Sequence, residues 1–146
     1  MQTRRLWIGM LSAGMLLVSG CSFSREWKAA AGRTEAPHDI TGAWIGRWQN
    51  SNNDHTDQLK AVITRVSDTE YHARFKAWWL GAFSGTFETR LTGQWENGAF
   101  VFRGDQQVLG WKFSQEGYAT PHNFRSRYSS EDYQGEFWMY RPEPLP

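Results

Sequence analysis

The sequence predicts an all-β fold: a small antiparallel meander of eight strands closed into a barrel. Two observations carry this. From Asp39 onward, apolar and polar residues alternate in run after run, which is the period of a half-buried strand. Short turn signals separate the runs, and no interval between them holds the periodicity of a good helix. Composition agrees: aromatics make up 16% of the 146 residues and 14 are glycine, a pairing that suits strands and tight turns. A two-sheet β-sandwich is the alternative architecture. The sequential hairpins and the lack of a long crossover favour a barrel, which leaves no exposed edge.

The runs follow in order. Residues 43–49 and 58–66 form the first two, with an ambiguous inward face. In the third, Tyr71, Ala73, Phe75, Ala77 and Trp79 alternate with Glu70, His72, Arg74, Lys76 and Trp78. Phe87, Thr89 and Leu91 define the fourth, and Phe100 and Phe102 flank Val101 in the fifth. Leu109, Trp111 and Phe113 flank Gly110 and Lys112 in the sixth. Phe124, Ser126 and Tyr128 make the seventh; Phe137 and Met139 alternate with Glu136, Trp138 and Tyr140 in the eighth. Asn97-Gly98 is the pair that favours a type I′ hairpin. Gln115-Glu116-Gly117, Asp132-Tyr133-Gln134-Gly135 and Asp68-Thr69 read as further turns. The barrel domain is expected over residues 39–142, with a C-terminal tail over 143–146.

Residues 1–20 read as an address rather than as structure. Arg4 and Arg5 form a basic start, and an uncharged stretch runs from Leu6 to Val18. It is too short to span a bilayer as a mature helix. It ends in Leu17-Val18-Ser19-Gly20-Cys21, which resembles the lipobox of bacterial lipoproteins. The resemblance implies cleavage between Gly20 and Cys21 and acylation of Cys21. It thereby implies a lipid bilayer as partner and the bacterial cell envelope as location. In that family an Asp after the Cys is the usual inner-membrane retention signal; Ser22 stands there, so the outer membrane is favoured. Cys21 is the only cysteine, so the exported part has no disulfide and rests on core packing.

Residues 21–38 read as the lipidated Cys and a tether. The segment Arg25-Glu26-Trp27-Lys28-Ala29-Ala30-Ala31 suits one or two helical turns stopped by Gly32. So short a helix is marginal alone. As a flexible linker the segment would reach roughly 23 Å.

Thr41-Gly42-Ala43-Trp44 resembles the Gly-x-Trp opening of the calycin barrels, the lipocalins and avidins. In lipocalins that Trp packs at the closed end against a basic residue from the last strand region. The resemblance makes Trp44 and Arg141 the candidate closed-end pair. The second and third lipocalin motifs and the usual cysteines are not present.

Little in the sequence points to catalysis. Charge is balanced, with 16 Lys+Arg against 15 Asp+Glu, which argues against a nucleic-acid partner. Removing residues 1–20 leaves 14 basic and 15 acidic side chains. Gly81-Ala82-Phe83-Ser84-Gly85 is not a nucleophile elbow, and it lacks the strand–turn–helix setting. Asp54-His55 and Asp57 share a polar loop without the ligand set of a zinc or calcium site. Glu131, Asp132 and Glu136 lie beside Arg125 and Arg127, as cross-strand ion pairs would. No enzyme activity, metal or cofactor is expected.

The aromatics are the remaining clue. Tyr71, Phe75, Phe87 and Phe102 are candidate interior contacts for a small apolar or amphipathic ligand. Trp78, Trp138 and Tyr140 are candidates for an exposed aromatic surface. The first set gives the leading expectation, a non-enzymatic ligand-binding lipoprotein. The second gives the alternative, a protein-binding module such as an enzyme inhibitor or an envelope assembly factor.

Overall fold

The computed structural model describes residues 14–108 and 110–143. The first 13 residues of the expected leader, Leu109, and residues 144–146 of the expected tail lie outside the described residues. One helix, α1 (Gly14–Ala31), precedes eight strands. These are β1 (Gly42–Asn50), β2 (Thr56–Arg65), β3 (Glu70–Trp79), β4 (Phe83–Glu96), β5 (Ala99–Val108), β6 (Trp111–Ala119), β7 (Asn123–Ser129) and β8 (Gln134–Tyr140). Each strand pairs antiparallel with the next, and β1 pairs with β8, so the sheet is a closed barrel with meander topology. The sandwich alternative is thereby excluded.

Period-two patterning places the core inside. Tyr71, Ala73, Phe75 and Ala77 of β3 are each no more than 5% exposed, while the residues between them are half-buried. Asn97 and Gly98 both have positive φ, 51° and 82°, and turn β4 into β5 as the type I′ signal demands. Gly110, φ 83°, lies in the short turn between β5 and β6. Two sequence readings are corrected here. Gln115-Glu116-Gly117 is not a turn; it lies in mid-β6, paired with Tyr128, Arg127 and Ser126 of β7. The sixth run is also interrupted at Gly110, which turns the chain before β6 begins at Trp111.

Small barrels coil tightly, and inward glycine lets neighbouring backbones approach. A Cβ on Gly46 would lie 1.9 Å from the Trp138 carbonyl oxygen. One on Gly117 would lie 2.1 Å from the Arg125 carbonyl oxygen. Gly46 faces Met139 across the seam that closes the barrel.

The segment read as a tether is helical through Ala31 and seated on the barrel's outer wall. Phe23, Trp27 and Ala31 recur every four residues, which makes one apolar stripe on a helix. All three are buried, and they cluster with Ala43 of β1 and Val62 of β2. This explains why the inward face of the first two strands was ambiguous: α1 covers their outer positions, so both faces are apolar. Arg74 of β3 pairs with Glu26 of α1 and, at 3.1 Å, with Glu88 of β4. No described helix is long and apolar enough to cross a membrane.

Candidate functional site

The two ends of the barrel differ. At one end Trp44 is fully buried, and its indole N–H donates to the Ile40 carbonyl at 3.0 Å. The Arg141 guanidinium lies over the Trp44 ring, 4.0 Å from its centroid. It donates to the carbonyls of Pro121 (2.7 Å), Ala43 (3.2 Å) and Asp39 (3.0 Å). Burial lowers the Arg141 pKa to about 10, which still leaves it charged at neutral pH. The carbonyl fork and the indole face replace the water that a buried cation would otherwise lose. This end is plugged.

The interior continues from the plug as a chain of rings. Tyr71 meets Phe100 at 4.8 Å between centroids, and Phe102 meets Phe124 at 5.2 Å. Phe75 stacks on Phe87 at 5.0 Å and touches Phe137 at 5.7 Å. Phe137 in turn meets Tyr128 at 4.9 Å, and Tyr128 meets Phe113 at 6.1 Å. The four interior candidates thus belong to one aromatic column. Tyr71, Phe75 and Phe102 are buried in it, and Phe87 is only partly covered.

Trp79, Phe87 and Phe113 stay partly exposed towards the other end, the open end. Here Trp48 donates from its indole N–H to the Trp78 carbonyl at 2.9 Å and packs its ring on His55 and Trp79. Asp57 accepts the Gly81 N–H at 2.9 Å, tying the start of β2 to the β3–β4 turn. That bond, with a second from the Gln58 N–H, holds the Asp57 carboxyl below its usual pKa. His55 stands 3.9 Å from Asp57, and no cluster of metal-ligating side chains occurs among the described residues.

The sequence reading missed Gln115. It points inward from β6 between Phe113 and Gly117, is 2% exposed, and has no hydrogen-bond partner among the described residues for either its Nε2 or its Oε1. Such an orphaned carboxamide costs roughly 1–3 kcal/mol per unmet group. Its place inside an apparent turn signal hid it. Strand alternation from Phe113, continued through the glycine, was the signal that finds it.

The surface candidates lie on outer walls. Trp78 is half-buried beside Lys60 and Lys76, whose Nζ atoms stand 5.9 and 5.1 Å from its ring centroid. Trp138 is half-buried on β8, between Arg47 of β1 and Arg125 of β7, and Tyr140 is 54% exposed. Trp78 is therefore separate from Trp138 and Tyr140, which share β8. A groove of about 950 Å³ runs over the outer wall of β4–β8, lined by Val101, Tyr118, Arg125 and Arg127. The Cys21 backbone is part of α1, and Gly20 precedes it in the same helix.

No family model and no curated protein matches this chain. Solved structures do. A de novo designed fluorescence-activating β-barrel aligns with TM-score 0.54 at 17% identity, over 76% of this chain and all of that one. A redesigned β-barrel aligns at 0.56 and 15% identity, over 71% of this chain and 92% of that one. Another, solved bound to DFHBI, aligns at 0.55 and 13% identity, over 70% of this chain and 94% of that one. The likeness is one of fold. A β-barrel is the architecture they share with the strand order described above.

Proposed function

We propose that this protein is a non-enzymatic, lipid-anchored envelope protein whose barrel takes up a small amphipathic ligand through its open end. The observation that carries the reading is Gln115, a buried carboxamide without a partner among the described residues in a largely apolar interior. A native barrel keeps such a group where a guest or a water completes its hydrogen bonds. A ligand with an apolar or aromatic body and one polar group meets both needs. It reaches Gln115 by displacing the Phe113 and Tyr128 rings from the mouth side. The barrel bound to DFHBI, a fold relative only, supports the reading by showing that this architecture accommodates a small molecule. The lipobox residues Leu17 to Cys21 support the anchor, which holds the protein to a bilayer through Cys21 and favours the outer membrane.

Native mass spectrometry of the protein released gently from bacterial envelopes tests the ligand. A reproducible extra mass, lost on unfolding and absent from Gln115→Leu, is expected. A bare mass for the parent protein overturns it. For the anchor, Cys21→Ser should lose the acyl mass and the membrane association; retention of both readouts in the variant sinks it.

The second reading, a protein-binding module, rests on the outer groove of β4–β8. There Arg125 has no ion-pair partner among the described residues and sits between Tyr118 and Trp138 on the neighbouring strands. Arg125→Glu would abolish capture of an envelope protein if that wall is the interface, and would leave an interior ligand bound.

A further inference from the structure

The β3–β4 turn spends stability on an exposed leucine. Leu80 and Gly81 have φ of 53° and 70°, the two positive values of a type I′ turn. Asn97-Gly98 makes the same kind of turn with the residue that tolerates it. Leu80 strains its backbone there, since left-handed geometry is uncommon for a bulky residue. Its side chain is nevertheless 75% exposed, and Phe83 on the same hairpin is 67% exposed. These are the two most exposed large apolar side chains among the described residues.

Beside this tip the outer wall is basic. Lys60 of β2 and Lys76 of β3 stand directly opposite one another. Like charges in that relation destabilise a sheet. Lys28 of α1 is near enough to act on Lys60 as well. Burial, then Lys76 and Lys28, holds the Lys60 pKa below the usual lysine range. None of the three lysines has an ion pair among the described residues, in contrast to Arg74, which has two acidic partners. Trp78 lies half-buried between the lysines and the tip, an amphipathic ring at the level where tip and basic wall meet.

We infer that the Leu80–Phe83 hairpin tip, with Trp78 and the lysines 28, 60 and 76 behind it, is a membrane-contact surface that docks on anionic phospholipid. The apolar tip enters the headgroup boundary, the indole sits at the interface, and the lysines meet phosphate groups. Charge complementarity selects the lipid: three lysines without an ion pair among the described residues take anions, and an apolar wedge needs a phase to enter. The contact is separate from acylation of Cys21 and from any ligand inside the barrel. It turns the open end towards the bilayer, because the tip is part of the rim.

The test uses the full chain carrying Cys21→Ser and Ser84→Cys, labelled at position 84 with a polarity-sensitive nitrobenzoxadiazole. A label at Glu96→Cys, exposed beside the β4–β5 turn at the plugged end, serves as the control. Phosphatidylcholine vesicles doped with phosphatidylglycerol should blue-shift the label at 84 and leave the control unchanged. Lys60→Gln and Lys76→Gln should each raise the lipid needed for half the shift by roughly fivefold. Leu80→Asn should weaken the shift while raising thermal stability, because Asn relaxes the turn; misfolding cannot imitate that combination. An unshifted label at 84, or a shift indifferent to all three substitutions, overturns the proposal. Inorganic phosphate reproducing the shift without vesicles would assign the lysines to a soluble anion and also overturn it.

Discussion

Trp27 of α1 donates its indole N–H to the main-chain carbonyl of Trp44 on β1, at 3.0 Å. The two indoles lie on opposite sides of the barrel wall, one under the helix and one in the core. The bond therefore ties the outer layer to the plug residue through the β1 backbone. Lys60 reinforces it from β2, its Nζ 4.1 Å from the Trp27 ring centroid.

Trp27→Ala should undock α1. The expected loss is about 2–4 kcal/mol, from the vacated contact with Ala43 and Val62 and the unmet Trp44 carbonyl. Urea unfolding measures the loss. Hydrogen exchange should show α1 amides losing protection while β5–β7 amides, remote from the helix, keep theirs. Trp27→Phe should keep most of the packing and lose about 1 kcal/mol.

Arg141→Lys keeps the charge but not the planar fork that serves three carbonyls. The substitution should cost about 1–3 kcal/mol by thermal unfolding. Paired with Trp44→Phe in a double-mutant cycle, it should give a positive coupling energy, since the guanidinium stacks on that indole. Additive losses would show the stack to be energetically empty.

Two glycines separate steric need from backbone need. Gly46→Ala drives a methyl into the Trp138 carbonyl at the β1–β8 seam, so a loss of at least about 3 kcal/mol or an insoluble product is expected. Gly98→Ala meets nothing within 4 Å but must hold φ near +82°. It should cost only about 1 kcal/mol. Denaturation midpoints of the two variants check the order.

Alkali should unfold the barrel through Tyr128. Burial pushes its phenol up to about 12, while the unfolded chain ionises near 10.0. Its hydroxyl donates to the Gln49 carbonyl at 2.9 Å, and a phenolate has no proton to give. The stabilising contribution is complete below pH 10 and is lost as pH rises towards 12, about 2–3 kcal/mol in all. In Tyr128→Phe the decline over this window should be shallower by that amount, read from urea midpoints at successive pH values.

Much of the barrel was legible because its signals are local. The alternation through β3 and the Asn97-Gly98 turn each follow from a few neighbouring residues, whereas the Trp44–Arg141 pair comes from the resemblance of Thr41-Gly42-Ala43-Trp44 to the calycin opening. The errors have long-range causes. Gln115-Glu116-Gly117 looked like a turn because tight coiling requires glycine inside strands as well as between them. Residues 22–31 looked like a linker because the helix is marginal alone; its stability comes from Val62 and Ala43, which no local window includes. The interior candidates were visible by period. The orphaned state of Gln115 was not, since it depends on what the neighbouring strands withhold.

The plug joins the two extremities of the domain. Arg141 bonds to carbonyls 98 and 102 residues earlier in the chain. Loop closure over such a distance is entropically slow, and folds dominated by distant pairings reach their native state late. A chain emerging from a ribosome amino end first has β1, but no eighth strand against which to close it. It stays an open meander until β8, which begins at Gln134, arrives. The same bonds that seal the finished barrel thus keep the nascent chain open, and closure waits until the whole domain has been made.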